Sequence, residues 1–179
     1  EHFAAPIIST DSRQFYRGMA IGTAQPTPEQ RSRVEHHLVD CYDVTEEINC
    51  GAYERIALER LDELFRSHDT VVAVGGSGLY IKALCEGMDS LPDASPKLRA
   101  ALLEKLENEG LESLVEQLRE LDLDYYKEVD KCNPQRVVRA VEVCLATGQP
   151  YSSLRKGEVQ QRPFEIVKIG VSYPREELY

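Results

Sequence analysis

A carboxylate, Asp11, directly follows a short apolar run that is typical of a β-strand, residues 6–10 (PIIST). Open α/β sheets bind their ligands at the carboxyl ends of their strands, so this acid is placed where a ligand could bind. The alternative is an aspartate that caps the next helix. Ser12, Arg13 and Gln14 follow at once and bring further polar groups to the same point of the chain.

A glycine turn carries the second set of candidate residues. The apolar run 71–74 (VVAV) predicts a strand that is buried on both faces, and it leads through Gly75, Gly76 and Ser77 into a helix predicted from Leu79. Backbone N–H groups at the start of a helix bind anions, and glycine allows close approach. The Ser77 hydroxyl can donate to a phosphate or accept from an amine. Tight packing between strand and helix explains the same turn equally well.

The third set lies at the start of a later predicted helix, where Asn133 and the proline after it form a capping signal. Gln135, Arg136 and Arg139 fall within the first two turns of this helix, and the two arginines share one face because they are three residues apart. Their guanidinium groups could bind phosphates or base edges. The alternative is a solvated helix face.

The cysteines and histidines do not form a metal-binding motif. The five cysteines have no pair at the two-residue spacing of a zinc or redox motif, and they predict reduced thiols in a cytoplasmic protein. His36 and His37 are adjacent, so in a strand they point to opposite faces and would serve one ion poorly. We therefore expect no metal ligands among these side chains, and a structural or hydrogen-bonding role for both histidines.

An α/β core is predicted around the candidate residues. A strand, a glycine turn and a helix in succession form the unit of a parallel sheet. Residues 52–65 carry apolar side chains at helical spacing, which predicts an amphipathic helix lying on that sheet. Residues 164–171 are rich in β-branched side chains and predict a further strand.

A helical insertion is predicted within this core. Leucines at helical spacing begin after a capping serine, Ser95, and the pattern is interrupted at Gly110, which predicts two successive helices. We expect the α/β core to comprise residues 1–90 together with 131–179, and the insertion to comprise residues 91–130.

The charge of the chain is distributed unevenly along its 179 residues. The net charge of −10 taken alone argues against a nucleic-acid partner. Residues 91–130 hold eleven acids and five bases, however, whereas residues 131–175 hold three acids and eight bases. The sequence contains no apolar run of about 18 residues, the length that a membrane helix needs. We therefore expect a protein without a membrane partner that carries a basic strip beside an acidic body.

Four segments together resemble the tRNA dimethylallyltransferases, also called tRNA isopentenyltransferases. They are residues 8–24 (ISTDSRQFYRGMAIGTA), 36–40 (HHLVD), 74–80 (VGGSGLY) and 133–142 (NPQRVVRAVE), in the order and spacing of the family. The resemblance covers nearly the whole chain. It implies a P-loop kinase-like α/β core with a helical insertion that grips the anticodon arm. The implied reaction transfers a dimethylallyl group from dimethylallyl diphosphate to N6 of adenosine 37 in tRNA.

The resemblance also implies roles for individual residues. Asp11 is expected to be the general base that takes a proton from the adenine amine. Ser77, where the family more often has threonine, is expected to lie beside the diphosphate with Gly75 and Gly76 and to take part in catalysis. The residues expected to contact tRNA are Asp11, Ser12, Arg13, Gln14, Ser77, Arg99, Gln135, Arg136, Val137, Val138 and Arg139. Mg²⁺ is expected as a cofactor that neutralises the diphosphate.

The chain departs from the family pattern at several points. The P-loop of the family, Gly-x-x-x-x-Gly-Lys-[Ser/Thr], is absent between Glu1 and Tyr179, so we expect a fragment that is inactive alone. Gln25 stands where many members have lysine. We expect the protein to be a monomer.

Two other functions remain open at this point. An adenylate isopentenyltransferase shares the core and prenylates a free nucleotide to make a cytokinin. A non-catalytic α/β module that binds a protein partner is the second alternative. The helical insertion with Arg99, followed by the segment from Gln135 to Arg139, favours the tRNA enzyme over the adenylate enzyme.

Overall fold

The computed structural model describes residues 2–89, 91–92 and 95–178. The strands and helices of the described residues alternate in the first part of the chain, and helices follow in the second part. Their order is β1 (Ile7–Ser9), α1 (Pro28–Arg33), β2 (His36–His37), α2 (Cys50–Leu64), β3 (Val72–Val74), α3 (Gly78–Glu86), α4 (Pro96–Leu121), α5 (Leu123–Glu128), α6 (Pro134–Thr147), α7 (Tyr151–Leu154) and α8 (Arg175–Leu178).

The three strands form one parallel sheet in the order β2-β1-β3. Ile7 of β1 pairs with His36 of β2 on one side and with Val72 of β3 on the other. Parallel strands end at the same edge of a sheet, so the residues after β1 and those after β3 lie side by side. The predicted α/β architecture with a parallel sheet is confirmed.

Two predictions about strands are wrong. β3 was expected to be buried on both faces, but it lies at the edge of the described sheet, and Val74 is 53% exposed. Residues 164–171 were expected to form a strand, but they form no ladder with any described strand, and Ile169 is 82% exposed. β-Branched residues favour a strand only where a neighbouring strand edge is available, and the sequence pattern does not reveal that edge.

Helix α2 packs on the sheet through the face that its apolar spacing predicts. Asn49 caps the helix by accepting a hydrogen bond from the Ala52 N–H at 2.9 Å. The residues of α2 that are buried are Tyr53, Ala57, Leu61 and Leu64. The Tyr53 ring stacks on Tyr80 of α3, with ring centroids 4.3 Å apart. This aromatic contact fixes α2 against the helix that starts at the glycine turn.

The chain folds as two compact units. The first comprises Glu1–Met88 with Val159–Tyr179 and contains the sheet, whereas the second comprises Asp89–Glu158 and contains α4 to α7. The insertion was predicted to end at residue 130, but the second unit extends to Glu158. The physical reason is that α6 packs against α4 in one hydrophobic core, to which both Leu118 and Val141 belong.

Local signals set the ends of the helices in the second unit, as predicted. Ser95 accepts from the Leu98 N–H at 3.2 Å and caps α4, while Asn133 accepts from the Arg136 N–H at 3.2 Å and caps α6. Gly110 has a φ of 81° and divides α4 into two helical segments, as its position between the leucine stripes indicates. No helix in the described part of the chain has both the length and the hydropathy needed to cross a membrane.

Candidate active site

The turn after β1 and the glycine turn after β3 are joined by hydrogen bonds. The Thr10 N–H donates to the Val74 carbonyl at 2.7 Å, and the Ser77 N–H donates to the Thr10 carbonyl at 3.3 Å. The Ser77 hydroxyl accepts from the Ser12 N–H at 2.9 Å and donates to the Ser12 hydroxyl at 3.0 Å. Two sets of candidate residues that are 65 positions apart in the sequence therefore form one site.

Ser77 occupies the N-cap position of α3 without capping it. Its hydroxyl forms no side-chain cap hydrogen bond to the helix, because it is turned toward Ser12. The first N–H groups of α3 consequently have no side-chain acceptor from the cap residue, and Gly78 and Leu79 are exposed. A helix of nine residues that begins in this way presents the N–H groups of its exposed first residues and the positive end of its dipole to an anion.

Gly75 is packed so tightly that no larger residue fits. A Cβ atom placed there would lie 2.4 Å from the Thr10 hydroxyl, 2.5 Å from the Thr10 carbonyl carbon and 2.7 Å from the Asp11 nitrogen. At Gly76, in contrast, a Cβ atom would meet nothing within 4 Å. Tight packing, the alternative explanation of the turn, therefore holds for Gly75, whereas Gly76 leaves its backbone accessible.

The two carboxylate oxygens of Asp11 differ in their contacts. Oδ1 accepts from the Arg13 N–H at 2.8 Å and from the Gln14 N–H at 3.3 Å, so Asp11 caps the turn that follows β1. No described residue forms a hydrogen bond to Oδ2, and the side chain is partly exposed. The expected helix cap is wrong in its element, because Oδ1 caps a turn and the next helix begins only at Pro28. The orientation that this cap imposes leaves Oδ2 available to a ligand.

Two glutamines hold the loop between Gly18 and Pro28 against this turn. Gln14 donates through Nε2 to the carbonyls of Thr23 and Ala24, and Gln25 donates through Nε2 to the carbonyls of Gln14 and Tyr16. Gln25 stands where many members of the family are expected to have lysine, and its neutral amide binds backbone carbonyls of the segment that follows β1.

Two buried tyrosines, one on α2 and one on α3, donate hydrogen bonds to backbone carbonyls. The Tyr53 hydroxyl donates to the Ser9 carbonyl at 3.3 Å, and the Tyr80 hydroxyl donates to the Ile48 carbonyl. Burial raises the pKa of Tyr53 strongly and raises the pKa of Tyr80 to about 12. Both hydroxyls therefore stay protonated near neutral pH and remain hydrogen-bond donors.

An open pocket of about 540 Å³ lies beside the two turns. This volume falls in the range of small-molecule sites. Gln14 and Gly75 line the pocket, while Asp11 and Ser77 do not. The other lining residues come from the three strands, α1 and the segments next to them: Ile7, Ser9, Ala24, Pro26, Gln30, Arg33, Val34, His36, Val39 and Val74.

The candidate residues of the second unit fall into an exposed and a buried group. Gln135 and Arg136 are exposed, and Arg139 is partly exposed. Val137 and Val138 are 0% and 4% exposed and belong to the hydrophobic core of the unit. At helical spacing these two valine side chains face the core and pack there, and the expected contact of this segment with tRNA stays a prediction.

Glu142 is a functional candidate that the sequence analysis did not single out. It is buried on the packed face of α6, and both Arg99 and Arg139 form hydrogen bonds to its carboxylate. The sequence does carry a signal for Glu142. It is an acid three residues after an arginine, and its neighbours Val141 and Val143 are both apolar.

The described residues contain no group of three or more His, Cys, Asp or Glu side chains that could hold a metal ion. The His36 ring nitrogen Nδ1 lies 2.7 Å from the Val34 carbonyl, which is the hydrogen-bonding role expected for this residue. Burial lowers the pKa of His37, so the neutral imidazole is favoured at this position.

Residues 14–179 match the family model described as IPP transferase. The chain belongs to this family. Curated relatives of the chain include tRNA dimethylallyltransferase 2 of Porphyromonas gingivalis, 49% identical over 99% of the chain, and tRNA dimethylallyltransferase 1 of Bacteroides thetaiotaomicron, 47% identical over 100% of it. The chain spans 59% and 58% of the lengths of these two relatives.

Two solved structures share this fold. The tRNA Δ(2)-isopentenylpyrophosphate transferase of Staphylococcus epidermidis is 28% identical, with a TM-score of 0.54 over 99% of this chain and 58% of its own. A eukaryotic dimethylallyltransferase solved acting on tRNA has a TM-score of 0.70 over 89% of this chain and 40% of its own, at 23% identity. The predicted P-loop kinase-like α/β core with a helical part is confirmed.

Proposed function

We propose that the whole protein transfers a dimethylallyl group from dimethylallyl diphosphate to N6 of adenosine 37 in tRNA. The observation that carries this proposal is that Asp11 and Ser77, in a chain of the IPP transferase family, lie on two turns that are hydrogen-bonded to each other. The relatives of the chain are tRNA dimethylallyltransferases. Because the chain spans about three fifths of their length, the activity is proposed for the whole protein and not for these 179 residues alone.

Asp11 is the proposed general base. The exocyclic amine of adenine is a weak nucleophile because its lone pair is delocalised into the ring. As the bond from N6 to the allylic carbon forms and the bond from that carbon to the diphosphate oxygen breaks, Oδ2 of Asp11 takes the N6 proton. Oδ1 stays fixed by the N–H groups of Arg13 and Gln14, so the carboxylate is already oriented before the substrate arrives.

The glycine turn and the start of α3 are the proposed binding site for the diphosphate. Gly76 leaves the backbone accessible, Ser77 adds a hydroxyl, and the exposed Gly78 and Leu79 at the start of α3 add backbone N–H donors. The turns at residues 9–14 and 75–78 together contain one carboxylate, that of Asp11. Since Mg²⁺ is commonly held by substrate phosphates and water with few protein ligands, we propose that it accompanies the diphosphate and neutralises the leaving group.

The second unit is the proposed contact for the anticodon arm. Arg99, Gln135, Arg136 and Arg139 carry the polar groups that could bind the RNA backbone, and the three arginines are at least partly exposed. An unpaired loop adenine suits a site of this kind because little stacking is lost when the base turns out of the loop. We propose further that the protein acts as a monomer in the cytoplasm.

A comparison of acceptors tests the proposed function. The intact protein is incubated with dimethylallyl diphosphate and Mg²⁺, and with either an anticodon stem-loop carrying adenosine 37 or AMP, and the products are analysed by mass spectrometry. We expect a dimethylallyl group on the stem-loop and none on AMP. Modification of AMP would indicate the adenylate enzyme, and modification of neither would indicate a non-catalytic module; both outcomes would refute the proposal.

A further inference from the structure

Glu142 is a buried carboxylate with two arginine partners. Its side chain is 2% exposed. Oε2 accepts from Nη1 of Arg139 at 2.7 Å, and Oε1 accepts from Nη1 of Arg99 at 3.3 Å. Arg139 lies one turn earlier on α6, whereas Arg99 lies in the first turn of α4, 43 residues away in the sequence. One carboxylate therefore joins guanidinium groups from two helices.

Stability alone gives a weak reason for a charge at this position. Glu142 lies among the buried residues of α6, next to Val141 and Val143. A buried ion pair is often no more stabilising than a well-packed apolar residue of similar volume, because both partners lose hydration. What the carboxylate adds, and an apolar residue would not, is a fixed position for two cations that would otherwise repel each other.

The two arginines keep donors that can reach a ligand. The Arg99 side chain is 58% exposed and the Arg139 side chain 32% exposed, although each donates to Glu142 through Nη1. Arg139 also donates through Nη2 to the Pro92 carbonyl at 3.4 Å. The three ionised side chains carry a net charge of +1, and their exposed part consists of guanidinium groups, which suit phosphate oxygens.

We propose that Glu142 is a positioning residue that holds Arg99 and Arg139 together as one binding site for phosphates of the tRNA backbone. The inference rests on the proposed function and deepens it, because it assigns the spacing of the two arginines to a residue that does not itself contact tRNA. Glu142 acts by limiting where the two guanidinium groups can lie, so that less side-chain freedom is lost when tRNA binds.

The sign of the effect separates positioning from simple charge. A carboxylate near the RNA backbone repels phosphates, so its neutralisation strengthens tRNA binding if charge alone matters. In Glu142→Gln one oxygen remains, but the other is replaced by an amide nitrogen that faces a guanidinium donor, so one arginine loses its partner. Positioning therefore predicts weaker binding although the net charge becomes more favourable.

The test uses the intact protein and an anticodon stem-loop, with binding measured by fluorescence anisotropy and transfer measured by steady-state kinetics. For Glu142→Gln we expect tRNA binding to weaken about tenfold, as for one lost charge-assisted hydrogen bond. KM for the stem-loop rises in parallel, while kcat and KM for dimethylallyl diphosphate stay within about threefold of wild type. The matched control is Glu128→Gln, which neutralises an exposed acid that pairs with Arg155 and should not weaken binding.

Wild-type or tighter stem-loop binding by folded Glu142→Gln protein would overturn the inference. Should that variant fail to give a cooperative thermal transition, Glu142→Asp decides the question. It keeps the charge but shortens the reach by one methylene, and it should also weaken stem-loop binding; wild-type affinity would contradict positioning. Failure of the wild-type protein to prenylate tRNA would refute the proposed function itself, whereas an active enzyme that is insensitive to both substitutions would refute the role of Glu142 alone.

Discussion

Ser77 and Asp11 each combine a contact that shapes the site with a group that a substrate can reach. The Ser77 hydroxyl bonds to both the N–H and the hydroxyl of Ser12, and Asp11 uses Oδ1 to fix the turn after β1. At the residue scale, both positions, which the family resemblance predicts to be functional, therefore also stabilise the local backbone structure. A substitution that tests their chemistry has to preserve that structural contact.

Substitution of Ser77 separates the hydroxyl from the rest of the side chain. In the intact protein Ser77→Ala leaves the Ser12 N–H without its acceptor, and we expect unfolding free energy to fall by about 1–2 kcal/mol and transfer to tRNA to fall at least tenfold. Ser77→Thr keeps the hydroxyl and should retain activity within about threefold of wild type. Urea denaturation and steady-state kinetics measure both effects. Equal activity of the Ala and Thr variants would contradict a role for the hydroxyl.

At the scale of elements, the site depends on how closely the ends of β1 and β3 approach. Gly75→Ala would place a Cβ atom against backbone atoms of Thr10 and Asp11, whereas Gly76→Ala meets open space. We expect Gly75→Ala to cost about 1–3 kcal/mol of stability, as overpacking does, and to abolish most transfer activity because the two turns must separate. Gly76→Ala is the matched control for stability and should melt within about 2 °C of wild type. Similar melting temperatures for the two variants, measured by differential scanning calorimetry, would rule out the close approach.

The elements that local signals define could be predicted from the sequence. The buried face of α2, the caps of α4 and α6 and the break at Gly110 follow from spacing, capping residues and glycine, all of which act within a few positions of the chain. The closeness of the two turns of the candidate site is explained by the parallel sheet, which brings strand ends together.

Features that depend on distant neighbours could not be predicted in this way. The exposure of Val74, the missing strand at residues 164–171 and the extension of the helical unit to Glu158 depend on which elements are packed against each segment. The pairing of Glu142 with Arg99 spans 43 residues and likewise has no local signal for its partner.

At the scale of the whole molecule, acidic and basic residues are concentrated in different parts of the chain. A basic segment of this kind can bind RNA phosphates although the net charge of the chain is −10. Residues 131–175 hold eight bases and three acids, and Arg136 in this segment is exposed and forms no ion pair with any described residue. An arginine of this kind can bind phosphate without first breaking a contact in the protein.

Substitution of Arg136 tests this electrostatic contribution. We expect Arg136→Ala in the intact protein to weaken stem-loop binding several-fold and to lower the slope of log affinity against log salt by about 1, because one phosphate contact is lost. Arg119→Ala is the control, since it removes the same charge from an exposed arginine that pairs with Glu116 in the acidic segment. Equal salt slopes for wild type and Arg136→Ala, measured by anisotropy titrations, would contradict the assignment.

The most direct test of the account is the rate of a single turnover by intact Asp11→Asn protein on an anticodon stem-loop. Asparagine keeps Oδ1 to accept from the Arg13 and Gln14 N–H groups, so the turn is preserved, but the amide cannot take a proton. We expect the transfer rate to fall by about 100-fold or more, with stem-loop affinity within about threefold of wild type. Asp43→Asn, which alters another turn-capping aspartate, should transfer at the wild-type rate. An Asp11→Asn rate close to that of wild type would contradict the proposal that this carboxylate takes the proton from the adenine amine.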